Sequence, residues 1–140
     1  MKTIFWTAWV IMVLSHRGVD AQNSIQVIID EVKNDQGAII VGIFSDQETF
    51  LKKPIIGKTV RAAAGQVVVL FDNVPAGEYA VSVIHDTNEN GKLDSNFFGI
   101  PTEGFGFSND AMGMFGPPSF DKARVAVSSS VVATLKMKYM

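Results

Sequence analysis

Cysteine is absent from this chain of 140 residues. The protein therefore has no disulfide bond to hold a small domain together, and it has no thiol for the attachment of a lipid anchor. Only one histidine, His85, lies beyond the first 21 residues, so the chain is also poor in the ligands that zinc prefers. The stability of the domain therefore has to come from its hydrophobic core and from any metal ion that is bound by oxygen atoms of the protein.

An excess of basic residues is also lacking. The chain has 12 Lys and Arg against 14 Asp and Glu, for a net charge of −2. Binding to a nucleic acid backbone needs a basic patch, and binding to an anionic membrane surface needs a polybasic or amphipathic stretch. The sequence contains neither, which argues against a nucleic acid partner.

The first 21 residues have the pattern of a cleavable signal peptide. Lys2 supplies a positive charge, residues 3–14 are uncharged and mostly apolar, and Val19-Asp20-Ala21 offers small residues for cleavage. The apolar run is shorter than the ~20 residues that span a bilayer; a membrane anchor or a buried first helix is the alternative. We expect an exported, periplasmic or secreted protein, with residues 22–140 forming one domain without an integral membrane segment.

Short runs of alternating apolar and polar residues dominate residues 22–140 and predict half-buried strands. The run over residues 66–71 is almost continuously apolar, which favours a central strand, and residues 46–54 predict a helical turn or a crossover loop. Turn residues separate the runs, so we expect an all-β fold, an immunoglobulin-like or transthyretin-like sandwich of about seven strands. The inward-facing residues expected in the other strands are Ile25, Val27 and Ile29; Ile39, Val41 and Ile43; Tyr79, Val81, Val83 and His85; Val125 and Val127; and Val131, Ala133, Leu135, Met137 and Tyr139.

Tyr79 follows a Pro/Gly turn, in the phrase Asp72-Asn73-Val74-Pro75-Ala76-Gly77-Glu78-Tyr79. In sandwich folds a tyrosine at such a corner can donate its hydroxyl to nearby backbone. The alternative is a tyrosine that is simply buried.

Residues 86–94, with the sequence DTNENGKLD, have the spacing of a calcium-binding loop. Oxygen-bearing side chains fall at relative positions 1, 3, 5 and 9, a glycine stands at position 6, and the carbonyl of position 7 can face inward. A hard cation needs six to eight oxygens, and the glycine permits the bend that brings them together. The candidate ligands are Asp86, Asn88, Asn90, Lys92 through its carbonyl, and Asp94.

The loop lacks the glutamate expected at position 12, where Phe97 stands. A distant carboxylate has to complete the site, or the site is weak and partly hydrated. Glu103 is the first candidate, and Asp46 and Asp110 are poorer ones. The alternative is a metal-free turn, because Asp, Asn and Gly favour turns unaided.

Residues 97–120 are rich in Gly, Phe, Met and Pro and are long for a loop without structure. One interpretation is that its aromatic residues cap the sandwich and complete its core; these are Phe97, Phe98, Phe105 and Phe107, with Ile100. The other is an exposed surface for a ligand or partner, built from Met112, Met114 and Phe115.

Three stretches of the chain together resemble a bacterial exported family known as domain of unknown function 2141. They are Gly77-Glu78-Tyr79-Ala80, residues 85–94, and Gly99-Ile100-Pro101-Thr102-Glu103-Gly104-Phe105-Gly106-Phe107-Ser108-Asn109. The resemblance covers almost all of residues 22–140. It implies a small β-sandwich without an established activity, and it links the loop to the segment that carries Glu103.

Three functional hypotheses follow. The favoured one is a calcium-stabilised, non-enzymatic module that binds a partner protein or an envelope component. The second is a metal-dependent hydrolase that uses His85, Asp86 and Glu103, although one histidine and scattered carboxylates are a poor catalytic set. The third is a structural envelope protein whose loop binds no metal.

Overall fold

The computed structural model describes residues 23–140, so the predicted signal peptide lies outside the described residues. Eight strands and two short helical turns form the fold. One turn is a 3-10 helix at Ser108–Asp110 and the other is α1, Phe120–Ala123. The strands are β1 (Asn23–Val32), β2 (Ala38–Phe44), β3 (Ile56–Arg61), β4 (Gly65–Val74), β5 (Gly77–Asp86), β6 (Gly104–Phe107), β7 (Arg124–Val127) and β8 (Val131–Lys136).

The strands form two sheets. In the three-stranded sheet, β1 lies between β4 and β8 and is parallel to β8. In the five-stranded sheet the order is β3-β2-β5-β6, and β7 pairs with β5 beyond the end of β6. The prediction of an all-β sandwich is confirmed, with eight strands where about seven were expected. Within residues 23–140 no helix is long and apolar enough to cross a membrane.

The main core lies between the sheets. It is formed by the residues that the alternating apolar and polar pattern predicts to face inward. In β1 and β2 every second side chain is fully buried, which places the intervening residues on the outer faces. The fully buried members of this core in those strands are Ile25, Val27, Ile29, Ile39, Val41 and Ile43.

One strand prediction was wrong, and two strands, β3 and β6, were not predicted. Residues 66–71 do form a strand, but β4 is at the edge of its sheet, and its outward residues Val68 and Leu70 are 47% and 45% exposed. A continuous apolar run is typical of a strand covered on both faces, whereas here one face is open to solvent. Strand β3 was not predicted, because in Ile56–Arg61 only two residues are even half-buried and the apolar signal is weak.

A second apolar cluster lies on the outer face of the five-stranded sheet. Phe44, Phe50, Phe105, Phe107 and Phe120 are buried there. Residues 46–54 adopt turns, as predicted, and bring Phe50 into edge-to-face contact with Phe44. The Gly/Phe-rich segment therefore supplies core residues from β6, and it covers a sheet face rather than the end of the sandwich.

The rest of that segment departs from the capping interpretation. Phe97 and Phe98 are 97% and 82% exposed, and Ile100 is 46% exposed, so these residues do not complete the core. Met114 and Phe115 are also exposed, as the alternative interpretation required, while Met112 packs against the second cluster.

The corner predicted at Tyr79 is present. Its hydroxyl donates a hydrogen bond of 2.8 Å to the carbonyl of Pro75, four residues earlier in the turn between β4 and β5. This contact fixes the direction in which β5 enters the five-stranded sheet, and β5 in turn ends at the first residue of the candidate cation loop.

Candidate functional site

The loop of residues 86–94 begins at Asp86, the last residue of β5, and the carboxylate of Asp86 organises its first turn. Asp86 is 2% exposed. One of its oxygens accepts a hydrogen bond from the Gly91 amide at 2.7 Å, and the other accepts from the Asn90 amide at 3.2 Å. Gly91 has φ = +81°, which glycine adopts without strain. The predicted bend at position 6 is therefore present.

The side chains at positions 3, 5 and 9 meet on one side of the loop. The amide nitrogens of Asn88 and Asn90 donate to the two oxygens of Asp94, at 2.5 and 2.7 Å. These hydrogen bonds, with a further contribution from the charge of Lys92, lower the pKa of Asp94 below its ordinary value of 3.8. Asp94 is therefore ionised at neutral pH, and each of its oxygens accepts a hydrogen bond from one asparagine.

Two further hydrogen bonds show that the asparagines form local turns. The Asn88 side-chain oxygen accepts from the Asn90 amide at 3.4 Å, and the Asn90 oxygen accepts from the Lys92 amide at 3.2 Å. Both bonds are long, so the short bonds to Asp94 do more to fix the orientation of the asparagine side chains. The loop thus holds all four predicted oxygen-bearing side chains in one connected set.

Glu103 reaches this loop, as predicted, from the residue before β6. It is 6% exposed, and one of its oxygens accepts hydrogen bonds from the Thr87 amide at 2.6 Å and the Thr87 hydroxyl at 2.9 Å. Its other oxygen accepts from the Asp94 amide at 3.0 Å. Glu103 therefore ties the two ends of the loop to each other and to β6.

The two poorer candidates are engaged elsewhere. Asp46 accepts hydrogen bonds from the backbone and hydroxyl of Thr49, and the backbone bond is the main reason that its pKa is lowered. Asp110 accepts from the Lys136 amide at 2.8 Å. Both carboxylates stabilise local backbone, and neither is hydrogen bonded to the loop in the described part of the chain.

His85 is fully buried and points away from the loop. Its Nε2 lies 2.7 Å from the Gln36 carbonyl, which can only accept, so Nε2 carries the hydrogen. Its Nδ1 lies 2.8 Å from the Tyr139 hydroxyl, which also accepts from the Lys33 amide at 3.0 Å. This network joins β5 to the C-terminal segment.

This arrangement bears on the hydrolase hypothesis. His85 and Asp86 are successive residues of a strand and face opposite ways. Among residues 23–140 no group of three or more His, Cys, Asp or Glu side chains is placed to hold a metal ion, and this applies to Asp86, Asp94 and Glu103 as well as to the hydrolase set. The loop instead brings together two carboxylates and two side-chain amides, groups whose oxygens are the kind of ligand that a hard cation such as calcium prefers.

The sequence did not reveal that His85 and Tyr139 are partners. Alternation placed both side chains on inward faces, but 54 residues separate them and the pairing depends on how the sheets stack. Burial raises the pKa of the Tyr139 hydroxyl above its ordinary value of 10.0, which keeps it protonated and able to donate to His85.

Comparison with known proteins gives one match. Residues 27–134 match the profile of a family described as uncharacterized proteins conserved in bacteria, DUF2141. No curated protein and no solved structure matches the chain. The match extends from β1 through the cation loop to β8, and the chain therefore belongs to the DUF2141 family of uncharacterized bacterial proteins.

Proposed function

We propose that this protein is an exported, non-enzymatic binding or envelope-associated module whose Asp/Asn loop binds calcium. The observation that supports the proposal most directly is the meeting of Asn88 and Asn90 on both oxygens of Asp94, with Asn90 also held by Asp86. Nine residues thus bring four oxygen-bearing side chains into one hydrogen-bonded set, which is the density of oxygens that a calcium loop requires.

In the calcium-bound loop, Asp86 and Asp94 supply the negative charge. Rotation of the Asn88 and Asn90 side chains exchanges their nitrogens for their oxygens on the side facing Asp94, and the Lys92 carbonyl adds one more ligand. One Glu103 oxygen already accepts two hydrogen bonds from Thr87, whereas the other accepts only from the Asp94 amide and keeps a further acceptor site. This carboxylate therefore braces the loop, and it would complete the coordination through that second oxygen by moving toward Asp86 and Asp94 when calcium binds.

Calcium would act as a cross-link in a chain that has no disulfide bond. It would hold the end of β5, the loop and, through Glu103, the start of β6 in one unit. Sites of this kind bind with Kd of about 10⁻⁴–10⁻³ M, which suits an extracellular module. At 10 mM calcium such affinities correspond to about 1.4–2.7 kcal/mol of added stability.

The test is thermal unfolding of the purified protein in 10 mM calcium and in chelator. We expect calcium to raise Tm by about 5–10 °C. Asp94→Asn removes one charge from the proposed coordination and should abolish most of this increase. Magnesium should give a smaller increase, because its octahedral geometry is harder to satisfy with protein oxygens.

Glu89→Gln is the matched control. Glu89 is an exposed residue of the same loop whose side chain is outside the hydrogen-bonded set, and its substitution removes the same charge. It should keep the calcium response of the unaltered protein. Equal Tm values in calcium and chelator for the unaltered protein would contradict the calcium proposal. If Asp94→Asn and Glu89→Gln lost the calcium-dependent increase in Tm equally, that increase would be a general effect of charge and not of coordination.

A further inference from the structure

A half-open groove of about 850 Å³ lies on the outer face of the five-stranded sheet, beside the second apolar cluster. Its floor is formed by outward-facing residues of β2, β5 and β6, among them Ile40, Ile84 and Phe107. The volume falls within the range of about 300–1,000 Å³ that is typical of small-molecule sites.

The walls of the groove carry apolar side chains that are open to solvent. Met114 and Phe115 are 88% and 97% exposed, Met140 is 75% exposed, and Leu51 and Ile100 are also exposed. Large exposed apolar residues gathered around one concave site indicate a binding surface. A ligand in the groove would bury them, and methionine adapts its shape to such contacts at low cost.

The charges in the lining select the kind of ligand. Lys52 and Lys92 are the charged residues that line the groove, and its lining contains no Asp or Glu. Neither lysine forms an ion pair with a carboxylate of residues 23–140. In a chain whose overall charge is negative, a groove whose charged side chains are both lysines favours an apolar ligand that carries an anionic group.

We propose that this groove binds a single-chain anionic amphiphile of the long-chain fatty acid class. The acyl chain lies on the floor over Ile40 and Ile84, and the carboxylate lies at the rim beside Lys52 or Lys92. The segment that carries Met114 and Phe115 closes over the chain. This function goes beyond cation binding and does not depend on it.

The test uses cis-parinaric acid, a fatty acid that becomes fluorescent in an apolar site, with hexadecanoate as the competitor. Titrations are made in chelator, because calcium precipitates long-chain carboxylates; the result is therefore separate from the calcium test. We expect one saturable site per chain, displacement by hexadecanoate, weaker displacement by hexadecanol, and none by hexadecyltrimethylammonium, whose charge has the wrong sign.

Two sets of variants locate the site. Ser82→Trp fills the floor and should abolish binding, whereas Thr134→Trp, on the exposed face of the other sheet, should leave it unchanged. Lys52→Gln combined with Lys92→Gln should raise the Kd for hexadecanoate about tenfold, as expected for the loss of two exposed charge contacts. Lys53→Gln alters the neighbouring lysine outside the groove and should change the Kd less than twofold.

Several results would overturn the proposal: no saturable binding of the probe, full binding by a folded Ser82→Trp protein, or equal affinity for the cationic amphiphile. Thermal unfolding of each variant shows that it is folded. Sedimentation with anionic phospholipid vesicles tests the alternative that these exposed residues bind a membrane surface. Binding to vesicles without binding to free hexadecanoate would assign the exposed aromatic residues to a membrane surface instead.

Discussion

Glu103 shows how one buried carboxylate can organise a loop whose contacting residues lie sixteen and nine positions earlier in the sequence. Three donors, from Thr87 and Asp94, point at its two oxygens, and its side chain is almost completely buried. The sequence could place the other candidate ligands because they lie within nine residues of each other. Glu103 was predicted as a partner because the loop lacks a carboxylate at position 12, and a family resemblance linked its segment to the loop. The structure adds the three donors that its oxygens bind.

We therefore expect Glu103→Gln to be costly even without any metal. The substitution replaces one acceptor oxygen with an amide nitrogen that faces N–H or O–H donors, and it leaves at least one of them unsatisfied. The free energy of unfolding in chelator should fall by about 1–3 kcal/mol, measured by urea denaturation. Glu89→Gln, at an exposed position of the same loop, should change it by less than about 0.5 kcal/mol. Similar values for the two variants would contradict the bracing role of Glu103.

At the scale of elements, β6 has a pattern that sequence reasoning did not resolve. Its four residues, Gly104–Phe107, alternate glycine and phenylalanine. The phenylalanines pack into the second cluster, and the glycines face the C-terminal segment so closely that a Cβ on Gly106 would lie 2.8 Å from Leu135 Cδ1 and 3.0 Å from the Lys136 carbonyl. Glycine carries no apolar signal, so a strand with one glycine face cannot be recognised before its neighbour is known.

This packing predicts a marked effect for a small substitution. Gly106→Ala has to displace Leu135 or the backbone at Lys136, and such overpacking costs about 1–3 kcal/mol. Gly116→Ala is the matched control, because nothing lies within 4 Å of the added carbon. Urea denaturation should show a clear loss for the first variant and little change for the second. A loss of less than about 0.5 kcal/mol at Gly106 would mean that β6 packs less tightly than described.

At the scale of the whole molecule, the sandwich is closed by the pairing of its first described strand with its last. β1 and β8 run parallel, with Ile25 opposite Val131 and Ile29 opposite Leu135. Alternation predicted both strands and their buried faces, which is why the fold class could be read from the sequence. The order of the strands could not, because this pairing joins residues more than 100 positions apart and depends on every turn between them.

The closure predicts that the domain does not fold without β8. Removing residues 131–140 deletes buried Ala133, Leu135 and Met137 and leaves β1 paired only with β4, with its other edge exposed. A single Leu→Ala substitution in a core costs about 2–5 kcal/mol, and the total stability of a domain is about 5–15 kcal/mol. Losing three core side chains and the β1–β8 backbone hydrogen bonds together should therefore cost more free energy than the total stability of the domain.

Circular dichroism during heating should show no cooperative transition for the chain that ends at Ser130. Removal of Met140 alone, which is 75% exposed, should leave Tm almost unchanged. A cooperative transition in the shorter chain would mean that the five-stranded sheet and its second cluster form a self-sufficient core, and that β1 and β4 add to it without needing β8.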